Sequence, residues 1–452
     1  MGILILCVML LAEVGFVAYS IKHRDKSKWL LNRCLVSGGE LILYFCMILL
    51  PGIDFGFRYK GLFFLLFIRV LVSGICLLAK YKKAEGKKKV AGGIVASAIV
   101  GVIFIAFSLV PTFIFTGYEG KTTTGKYEVA TSKVILIDNS RVETFENDGS
   151  MREVPVYFYY PADADNSQTY PLVVFSHGAF GFYESNTSTY MELASNGYVV
   201  ISLDHPYHSF FTMDTTDQMI LVNTNFINDV FRVNEEGISE EEIFALSSQW
   251  LDLRKADMNF VLDTVKEASS QSVLTKEWFL GKTDDSTILS ILNIIDCDKI
   301  GLMGHSLGGA ASVVIGRDRE DISAVIDLDG TMLGEQLGFE NGEYILYEEP
   351  YPVPLLSIDN ESHHKDGELA GSYYVNNVVL ENAVDGHSTY FKGSAHMNFT
   401  DLPLFSPVLA KNLGVGTIDA DHCIDTMNAI VLEYMNHYLK GEGEFHLQES
   451  YE

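Results

Sequence analysis

Four apolar stretches occupy most of the chain before Tyr118. They cover roughly residues 2–20, 35–53, 61–79 and 91–116. Each is close to the ~20 residues that a helix needs to cross the hydrocarbon core of a bilayer. A cleaved signal peptide would explain only the first stretch, which also lacks a basic start. Residues 1–117 are therefore predicted to form an all-α domain of four transmembrane helices.

Basic residues between the stretches predict the orientation of this domain. They fall into two groups, Lys22, Arg24, Lys26, Lys28 and Arg33 between the first two stretches and Lys80, Lys82, Lys83, Lys87, Lys88 and Lys89 between the last two. Loops rich in Lys and Arg remain on the cytoplasmic side. The protein is thus expected in the cell membrane as a multi-pass protein, with residues 118–452 forming an extracytoplasmic domain.

Three ionisable residues interrupt the apolar stretches, namely Glu13, Glu40 and Arg69. Such residues are costly in lipid and usually face the interior of a helix bundle. The first and third helices should run in the same direction, which brings Glu13 and Arg69 to a similar depth. We expect these two to pair. An ion pair that packs helices is favoured over a polar site for a lipid or a signal.

The charge of the chain excludes some partners. Its formal net charge is −27, and residues 118–452 hold 54 Asp and Glu against 18 Lys and Arg. A surface this acidic repels nucleic acid, so no DNA or RNA partner is expected. No Cys or His pair has zinc-finger spacing, and His363 and His364 are adjacent, a poor geometry for one metal ion. The sequence predicts neither a metal nor a cofactor.

The pentapeptide Gly304-His305-Ser306-Leu307-Gly308 follows a predicted buried strand and precedes a helix rich in small residues. This Gly-x-Ser-x-Gly pattern is typical of a nucleophile elbow, where a serine occupies the tip of a tight strand-to-helix turn. A side chain at either glycine would collide with the neighbouring strand or helix. Ser306 is therefore the candidate nucleophile.

The remainder of residues 118–452 alternates between predicted strands and helices. Segments 126–145 and 151–160 predict an antiparallel entry pair. Buried runs follow at Pro171–Phe175, Tyr198–Leu203, Lys299–Met303, Ala324–Leu328 and Pro354–Ile358, with helices predicted at Thr187–Asn196, Gln249–Lys266 and Asp425–Lys440. The pattern indicates a doubly wound, mostly parallel α/β sheet whose active site lies at the carboxyl ends of the strands.

A serine hydroxyl needs a base and an orienting carboxylate before it becomes a good nucleophile. The downstream histidines are His363, His364, His387, His396, His422, His437 and His446. His396 is the preferred base, because it lies among small and apolar residues just after the predicted last strand, Ser388–Lys392. Asp329 and Asp359 each follow a strand, and the residues alone leave the choice of acid open between them.

The oxyanion of a tetrahedral intermediate needs two backbone N–H donors. One is expected from Leu307, which follows the nucleophile. The second is expected from the loop Ser176-His177-Gly178-Ala179-Phe180 after a predicted strand. Ala179 is the first choice for this donor and Phe180 the second, with His177 and Gly178 as supporting residues.

Several motifs of this chain resemble one family. They are Ser176-His-Gly-Ala-Phe-Gly, Asp204-His-Pro-Tyr-His-Ser, Gly304-His-Ser-Leu-Gly-Gly, Leu328-Asp329-Gly and Gly393-Ser-Ala-His-Met-Asn-Phe. Together they resemble the platelet-activating factor acetylhydrolase group of α/β hydrolases, the plasma and type-II-like enzymes and their bacterial relatives. The resemblance covers about residues 150–440. It implies a serine esterase that needs no Ca²⁺ and removes short or oxidised sn-2 acyl groups from phospholipids. It also favours Asp329 as the acid, with Ala179 and Leu307 as oxyanion donors.

Two features depart from that pattern. The amino-terminal membrane domain is not part of the family's catalytic core, and the acidic segment Thr212–Ser248 lies where hydrolases of this fold place lids. Because a catalytic domain tethered to a membrane would suit amphiphilic esters, we expect an amphiphilic ester or phospholipid as substrate. Two alternatives remain: another serine hydrolase of the same fold, such as a lipase, a polyester or xenobiotic esterase or a peptidase, and a non-catalytic membrane receptor or binding module. The oligomeric state is not readable from the sequence.

Overall fold

The computed structural model describes residues 2–49, 55–163, 167–233, 235, 237–271 and 273–452. Residues 50–54, at the end of the second predicted span, lie outside the described residues, as do Asn234 and Glu236 of the candidate lid. The chain divides into two compact units. Met1–Tyr118 with Leu404–Leu409 form the bundle unit, and Glu119–Pro403 with Ala410–Glu452 form the sheet unit. The sequence had placed residues 404–409 in the second domain.

The regular elements in the described part of the bundle unit are all helices. Its helices are α1 (Gly2–His23), α2 (Lys26–Ile48), α3 (Phe57–Ala84), α4 (Ala91–Ser108) and the short α5 (Val110–Ile114). The first four are long and apolar enough to cross a membrane. Leu404–Leu409 joins this unit through Phe405, whose carbonyl accepts a hydrogen bond from the Thr116 N–H at 2.8 Å.

Helix α2 begins at Lys26, earlier than the apolar pattern predicted. Asp25 caps it, since its side chain accepts a hydrogen bond from the Lys28 N–H at 2.9 Å. Lys26, Lys28 and Arg33 therefore lie within α2, and their predicted placement between the spans was wrong. The same holds for Lys22, which lies within α1, and for Lys80, Lys82 and Lys83, which lie within α3. The hydropathy pattern did not indicate the first turn of α2, because its residues are polar and the helix begins after a capping residue.

The two basic connections lie at the same end of the bundle. The Lys26 N–H donates to the Lys87 carbonyl at 2.9 Å, and the Lys89 N–H donates to the Arg24 carbonyl at 2.7 Å. These bonds join the α1–α2 turn to the α3–α4 loop. We call this the basic end of the bundle.

A buried ionic cluster ties three of the helices together. Arg33 Nη1 lies 2.8 and 2.7 Å from the two Glu13 carboxylate oxygens, and Arg69 also donates to Glu13. Arg69 Nη2 lies 3.2 Å from Glu40 Oε2. Both glutamates are almost fully buried. The predicted pairing of Glu13 with Arg69 is confirmed, and Arg33 is a further member that the sequence did not reveal.

The sheet unit is built on a ten-stranded sheet. Its strands are β1 (Val129–Val142), β2 (Met151–Pro161), β3 (Tyr170–Ser176), β4 (Val199–Leu203), β7 (Trp278–Phe279), β8 (Ile295–His305), β9 (Ile322–Leu328), β12 (Leu355–Asn360), β13 (Gly386–Phe391) and β14 (Ser450–Tyr451). Their order in the sheet is β14-β13-β12-β9-β8-β3-β4-β2-β1-β7. Neighbours from β14 to β4 run parallel, whereas β2, β1 and β7 each pair antiparallel with the preceding strand in this order. Two small hairpins add β5 (Phe211–Met213) with β6 (Met219–Leu221), and β10 (Gln336–Glu340) with β11 (Glu343–Leu346).

The helices of the sheet unit are α6 (Thr187–Ser195), α7 (Thr224–Arg232), α8 (Glu240–Gln271), α9 (Asp285–Asn293), α10 (Leu307–Asp318), α11 (Glu361–Ala370), α12 (Val375–Glu381) and α15 (Ala420–Met435), which ends in a π-helical turn at Asn436–Lys440. Two short helices, α13 (Leu402–Phe405) and α14 (Pro407–Leu413), overlap the segment Leu404–Leu409 of the bundle unit. All residues of β3 and β4 are buried, as expected for central strands covered on both sides. The doubly wound α/β-hydrolase fold and the antiparallel entry pair β1–β2 are confirmed.

Candidate active site

Ser306 occupies the tip of the turn between β8 and α10. Its backbone has φ 56° and ψ −124°, a conformation that a non-glycine residue adopts only under constraint, and its N–H donates to the Leu328 carbonyl at 2.8 Å. A Cβ added at Gly304 would lie 2.2 Å from the Gly308 backbone, and one added at Gly308 would lie 1.9 Å from the Ser176 carbonyl oxygen. Both glycines of the predicted elbow are therefore required by close backbone approach.

His396 and Asp329 meet at the same edge of the sheet. His396 starts the single-turn helix His396–Phe399 after β13, and Asp329 follows β9. His396 Nδ1 lies 2.6 Å from Asp329 Oδ2. The imidazole is 43% exposed, whereas the Asp329 side chain is buried. This contact orients the ring and leaves its Nε2 as the nitrogen that can exchange a proton.

Asn360 donates two hydrogen bonds to Asp329. The Asn360 backbone N–H and its Nδ2 each donate to one Asp329 oxygen at 2.7 Å. Burial alone would raise the pKa of Asp329, but the hydrogen bonds from His363 and His396 and their charges hold it below its usual range. Asp329 is therefore a permanently charged group at physiological pH.

Asp359, the other acid left open by the sequence, has different partners. Its Oδ1 accepts from Ser357 Oγ at 3.1 Å and lies 3.7 Å from His363 Nδ1. Burial raises the pKa of Asp359 to about 7, with His363 opposing the shift. The contact with His396 is made by Asp329, which follows β9, whereas Asp359 lies within the neighbouring strand β12 and was wrongly expected to follow it.

His363 is a second imidazole on Asp329, and the sequence offered it only as one of several histidines. Its Nδ1 lies 3.0 Å from Asp329 Oδ1, and its Nε2 contacts the Tyr374 hydroxyl. Burial would lower the pKa of His363, but the hydrogen bond to Asp329 and the charge of Asp359 raise it to about 9. His363 lies in the first turn of α11, which Asn360 caps, and it comes shortly after Asp359 in the sequence. This position close to a candidate acid was the signal available in the sequence.

Asp329, Asp359 and His363 also place their ligand atoms within 4.8 Å of one another. A divalent ion needs several free lone pairs from such a group. Here both Asp329 oxygens already accept hydrogen bonds from Asn360, His363 and His396. We interpret the group as a hydrogen-bonded network, and the expectation that the protein uses no metal stays a prediction.

The two candidate oxyanion donors line one cavity with Ser306. Ala179 and Leu307 border a space of about 440 Å³ together with Ser306, Asp329 and His396. The Phe180 N–H, the second choice, donates to the His208 carbonyl at 3.2 Å instead. This contact favours Ala179 over Phe180 as the donor.

The loop that carries Ala179 is tightly packed. A Cβ added at Gly178 would lie 2.8 Å from His305 Nδ1, so a glycine is needed for this approach. His177 is fully buried, with Nε2 2.8 Å from Ser209 Oγ, and burial holds its pKa well below the usual value. His177 is therefore a neutral residue that supports the loop.

Arg254 of α8 is a residue that the sequence reasoning missed. Its guanidinium is completely buried and donates from Nη1 to the His177 carbonyl at 2.6 Å and from Nη2 to the Gly178 carbonyl at 3.3 Å. Burial lowers the pKa of Arg254 to about 9. These bonds fix the carbonyls that precede the Ala179 N–H. An arginine on the core-facing side of α8, between buried Leu251 and Met258, was the available signal.

The candidate lid forms one wall of the cavity. Val230 and Val233 border it together with Trp250 and Leu333. Phe226 anchors the segment, since its ring is buried and stacks on His208 at 3.8 Å between centroids. The acidic segment is therefore folded as hairpin β5–β6 and helix α7, with an apolar side toward Ser306.

Comparison with known families decides the relationship. Residues 141–451 match the family model of platelet-activating factor acetylhydrolase, isoform II. The chain belongs to this family. The match begins within β1 and extends through β14, so it covers most of the sheet unit of this platelet-activating factor acetylhydrolase relative.

Curated members of the family are distant in sequence. The platelet-activating factor acetylhydrolase of Bos taurus is 26% identical over 293 residues, which cover 62% of this chain and 59% of the bovine protein. The Gallus gallus enzyme is 23% identical, covering 62% of this chain and 64% of its own length. The chain thus spans about three-fifths of the length of the curated relatives that it matches. At this distance, membership of the family does not by itself assign a substrate.

A solved structure supports the fold. The ferulic acid esterase of Streptomyces cinnamoneus has a TM-score of 0.50 and 18% identity, and the similarity covers 73% of this chain and 95% of the esterase. At such low identity the likeness concerns the fold alone. It agrees with the α/β-hydrolase topology described above.

Proposed function

We propose that this chain is a serine carboxylic-ester hydrolase that acts through an acyl-enzyme on Ser306. The observation that carries the proposal is the shared cavity of Ser306 and His396, with the imidazole oriented by Asp329 at 2.6 Å. A serine, an imidazole and a buried carboxylate in this relation are what nucleophilic acyl transfer requires. Membership of an ester-hydrolase family supports the same reaction class.

In the first half-reaction, Ser306 Oγ attacks the carbonyl carbon of the ester and its proton moves to His396 Nε2. The negative charge on the carbonyl oxygen is stabilised by the backbone N–H groups of Ala179 and Leu307. Asp329 stabilises the imidazolium by its charge and does not need to take the proton. When the C–O bond breaks, His396 returns the proton to the leaving alcohol.

In the second half-reaction, water replaces the alcohol. His396 removes a proton from the water, whose oxygen attacks the acyl carbon, and the second tetrahedral intermediate uses the same two N–H donors. The proton then returns to Ser306 Oγ as the carboxylic acid leaves. The 43% exposure of the His396 side chain lets water reach this nitrogen.

For the substrate, we propose phospholipids with short or oxidised sn-2 acyl groups. The cavity of about 440 Å³ lies toward the small end of ligand sites, and Val230, Val233 and Trp250 offer an apolar wall to an acyl chain. Met219, Leu221 and Phe231 of the candidate lid expose apolar side chains, which suits an amphiphilic substrate. The names of the curated relatives agree with this class.

We further propose that the bundle unit spans the cell membrane and that the sheet unit works on the extracytoplasmic side. Four helices of sufficient length and apolarity support the first part. The clustering of the basic connections at one end of the bundle supports the second, because such ends remain in the cytoplasm.

The proposal is tested with a tagged fluorophosphonate on membranes that contain the wild type, Ser306→Ala or the control Ser290→Ala, whose serine is exposed on α9. Labelling of the wild type and the control but not of Ser306→Ala is expected. The same samples are then assayed on a phospholipid with a short sn-2 chain and on a p-nitrophenyl ester. Turnover of only the simple ester would overturn the lipid assignment, and an unlabelled, folded wild type would overturn the hydrolase assignment in favour of a binding module.

A further inference from the structure

A second cavity, of about 700 Å³, lies within the bundle unit and plays no part in the reaction proposed above. It extends from Lys26, Lys80 and Lys89 at the basic end to Arg33 and Arg69 of the ionic cluster. Ser37, which also lines the cavity, is 11 residues from Lys26 on α2, so the cavity reaches about 16 Å into the bundle at 1.5 Å per residue. It is large enough for a lipid headgroup and the start of its chains.

The charges along this cavity do not cancel. Arg33 and Arg69 are offset by Glu13 and Glu40 in the ionic cluster. Lys26, Lys80 and Lys89 form no ion pair with any carboxylate in the described part of the chain. Three positive charges are therefore left at the mouth of the cavity, and they favour an anion there.

Unpartnered polar atoms lie along the same cavity. Among the described residues, Trp29 Nε1, Ser37 Oγ and Arg69 Nη1 are buried without a hydrogen-bond partner, and all three residues line it. The Ser37 residue is 1% exposed. Trp29 Nε1 and Arg69 Nη1 are donors only, and a buried donor left unsatisfied costs free energy. A ligand that carries several acceptor oxygens would satisfy them.

Much of the remaining wall is apolar, although Ser73, Cys76 and Ser97 also line it. It is formed by side chains such as Leu65, Ile68, Val72 and Phe104, which lie on α3 and α4. A small inorganic anion would leave this surface without contacts. A molecule with an anionic head and hydrocarbon chains would contact both parts.

We propose that this cavity binds the phosphate-bearing headgroup of an anionic phospholipid from the leaflet at the basic end of the bundle. The lysines and the unpartnered donors contact the phosphate oxygens, and an acyl chain lies along the apolar wall. Basic pockets between transmembrane helices bind anionic headgroups by the same combination of charge and hydrogen bonds. The bound lipid is a ligand of the bundle and is distinct from the ester substrate of the sheet unit.

The test uses the full chain, purified in detergent and stripped of lipid, with binding measured by native mass spectrometry. The probes are dioleoyl phosphatidylglycerol, dioleoyl phosphatidylcholine and free glycerol phosphate. We expect the wild type to prefer phosphatidylglycerol at least about tenfold over phosphatidylcholine, since three lysines contribute. Free glycerol phosphate should bind far more weakly than the lipid because it lacks the acyl chains.

Two triple variants distinguish the effect of the lysines that line the cavity from that of the other lysines at the basic end. Replacing Lys26, Lys80 and Lys89 together by Gln should weaken phosphatidylglycerol binding about 100-fold. The control replaces Lys82, Lys83 and Lys87 by Gln, which removes the same charge from exposed positions outside the cavity, and should change binding less than about threefold.

Trp29→Phe keeps all charges and an aromatic ring beneath the Lys89 ammonium, which lies 3.5 Å from the Trp29 ring centroid, and it removes one unpartnered donor. It therefore tests the site even if the triple variant fails to fold. It should weaken binding about fivefold. Three results would overturn the proposal: equal binding of the two lipids by the wild type, equal losses in the two triple variants, or binding of glycerol phosphate as tight as that of phosphatidylglycerol.

Discussion

The ionic cluster of the bundle unit and the Asp329 cluster of the sheet unit bury charge in different ways. In the bundle unit, Glu13 and Glu40 contact the guanidinium groups of Arg33 and Arg69. In the sheet unit, the buried carboxylate of Asp329 contacts the imidazoles of His363 and His396. A guanidinium keeps its proton at any physiological pH, whereas an imidazole gains and loses one near neutrality. The first arrangement can hold helices together, and the second can move protons.

Exposure separates the two clusters as well. Glu13 and Glu40 are nearly inaccessible, while the His396 side chain opens into the cavity beside Ser306. A buried cluster of fixed charges contributes to stability only if it stays complete. A cluster that ends in an exposed imidazole can act on a substrate. We therefore expect substitutions in the sheet unit's cluster to affect rate first and those in the bundle to affect folding first.

The largest effect is expected for Asp329→Asn. The amide keeps the size of the side chain but removes the charge that stabilises the His396 imidazolium, so kcat should fall on the order of 10⁴-fold. Steady-state ester hydrolysis measures it. Asp359→Asn is the matched control on the neighbouring strand and should cost less than about tenfold. A loss of kcat in Asp359→Asn that exceeds the loss in Asp329→Asn would make Asp359 the acid.

Glu13→Gln should produce the next largest effect, and on stability. The substitution leaves Arg33 and Arg69 buried with Glu40 as their remaining carboxylate, which should destabilise the bundle by about 3–5 kcal/mol. Thermal unfolding in detergent and the amount of protein in the membrane measure it. Glu85→Gln, at an exposed loop position, serves as the control. Normal stability of Glu13→Gln would mean that the cluster contributes nothing to packing.

His363→Gln tests whether the His363 imidazole is protonated beside Asp329 in the folded protein. The folded-state pKa of His363 is raised from its usual 6.5 to about 9, so the stabilisation is fully present below about pH 6.5 and is lost as the pH rises through about 9. The variant should lose up to about 3 kcal/mol at low pH and match the wild type above pH 9. Unfolding midpoints from pH 5 to 10 measure this, with His364→Gln as the neighbouring control. Parallel curves would show that His363 is not protonated in the fold.

Arg254→Met should have a smaller effect on rate. Losing the bonds to the His177 and Gly178 carbonyls loosens the Ala179 N–H, and kcat should fall about tenfold to a hundredfold while KM changes little. Arg319→Met, which removes a partly exposed arginine far from this loop in sequence, should leave kcat within about twofold. A change confined to KM would place Arg254 in substrate binding and not in the support of the oxyanion loop.

Much of the sheet unit could be predicted because its signals are local. The elbow can be recognised from five consecutive residues, and the clash that requires Gly304 is with the Gly308 backbone, although the clash that requires Gly308 is with the Ser176 carbonyl of another strand. Buried parallel strands appear as short apolar runs, and all five predicted runs lie within observed strands or overlap them closely. Helix boundaries were less accurate, as at α2, where a capping aspartate replaced the apolar signal.

The sequence by itself determined the apolar spans, the elbow serine and the α/β sheet, because hydrophobic periodicity and backbone sterics depend on near neighbours. Only the tertiary structure decided which carboxylate contacts His396, that His363 shares Asp329, and that Arg254 supports the loop of Ala179. It also brought Arg33 to Glu13, across 20 positions of the chain. Each of these contacts joins elements whose meeting depends on how helices and strands pack, and no local pattern records that packing.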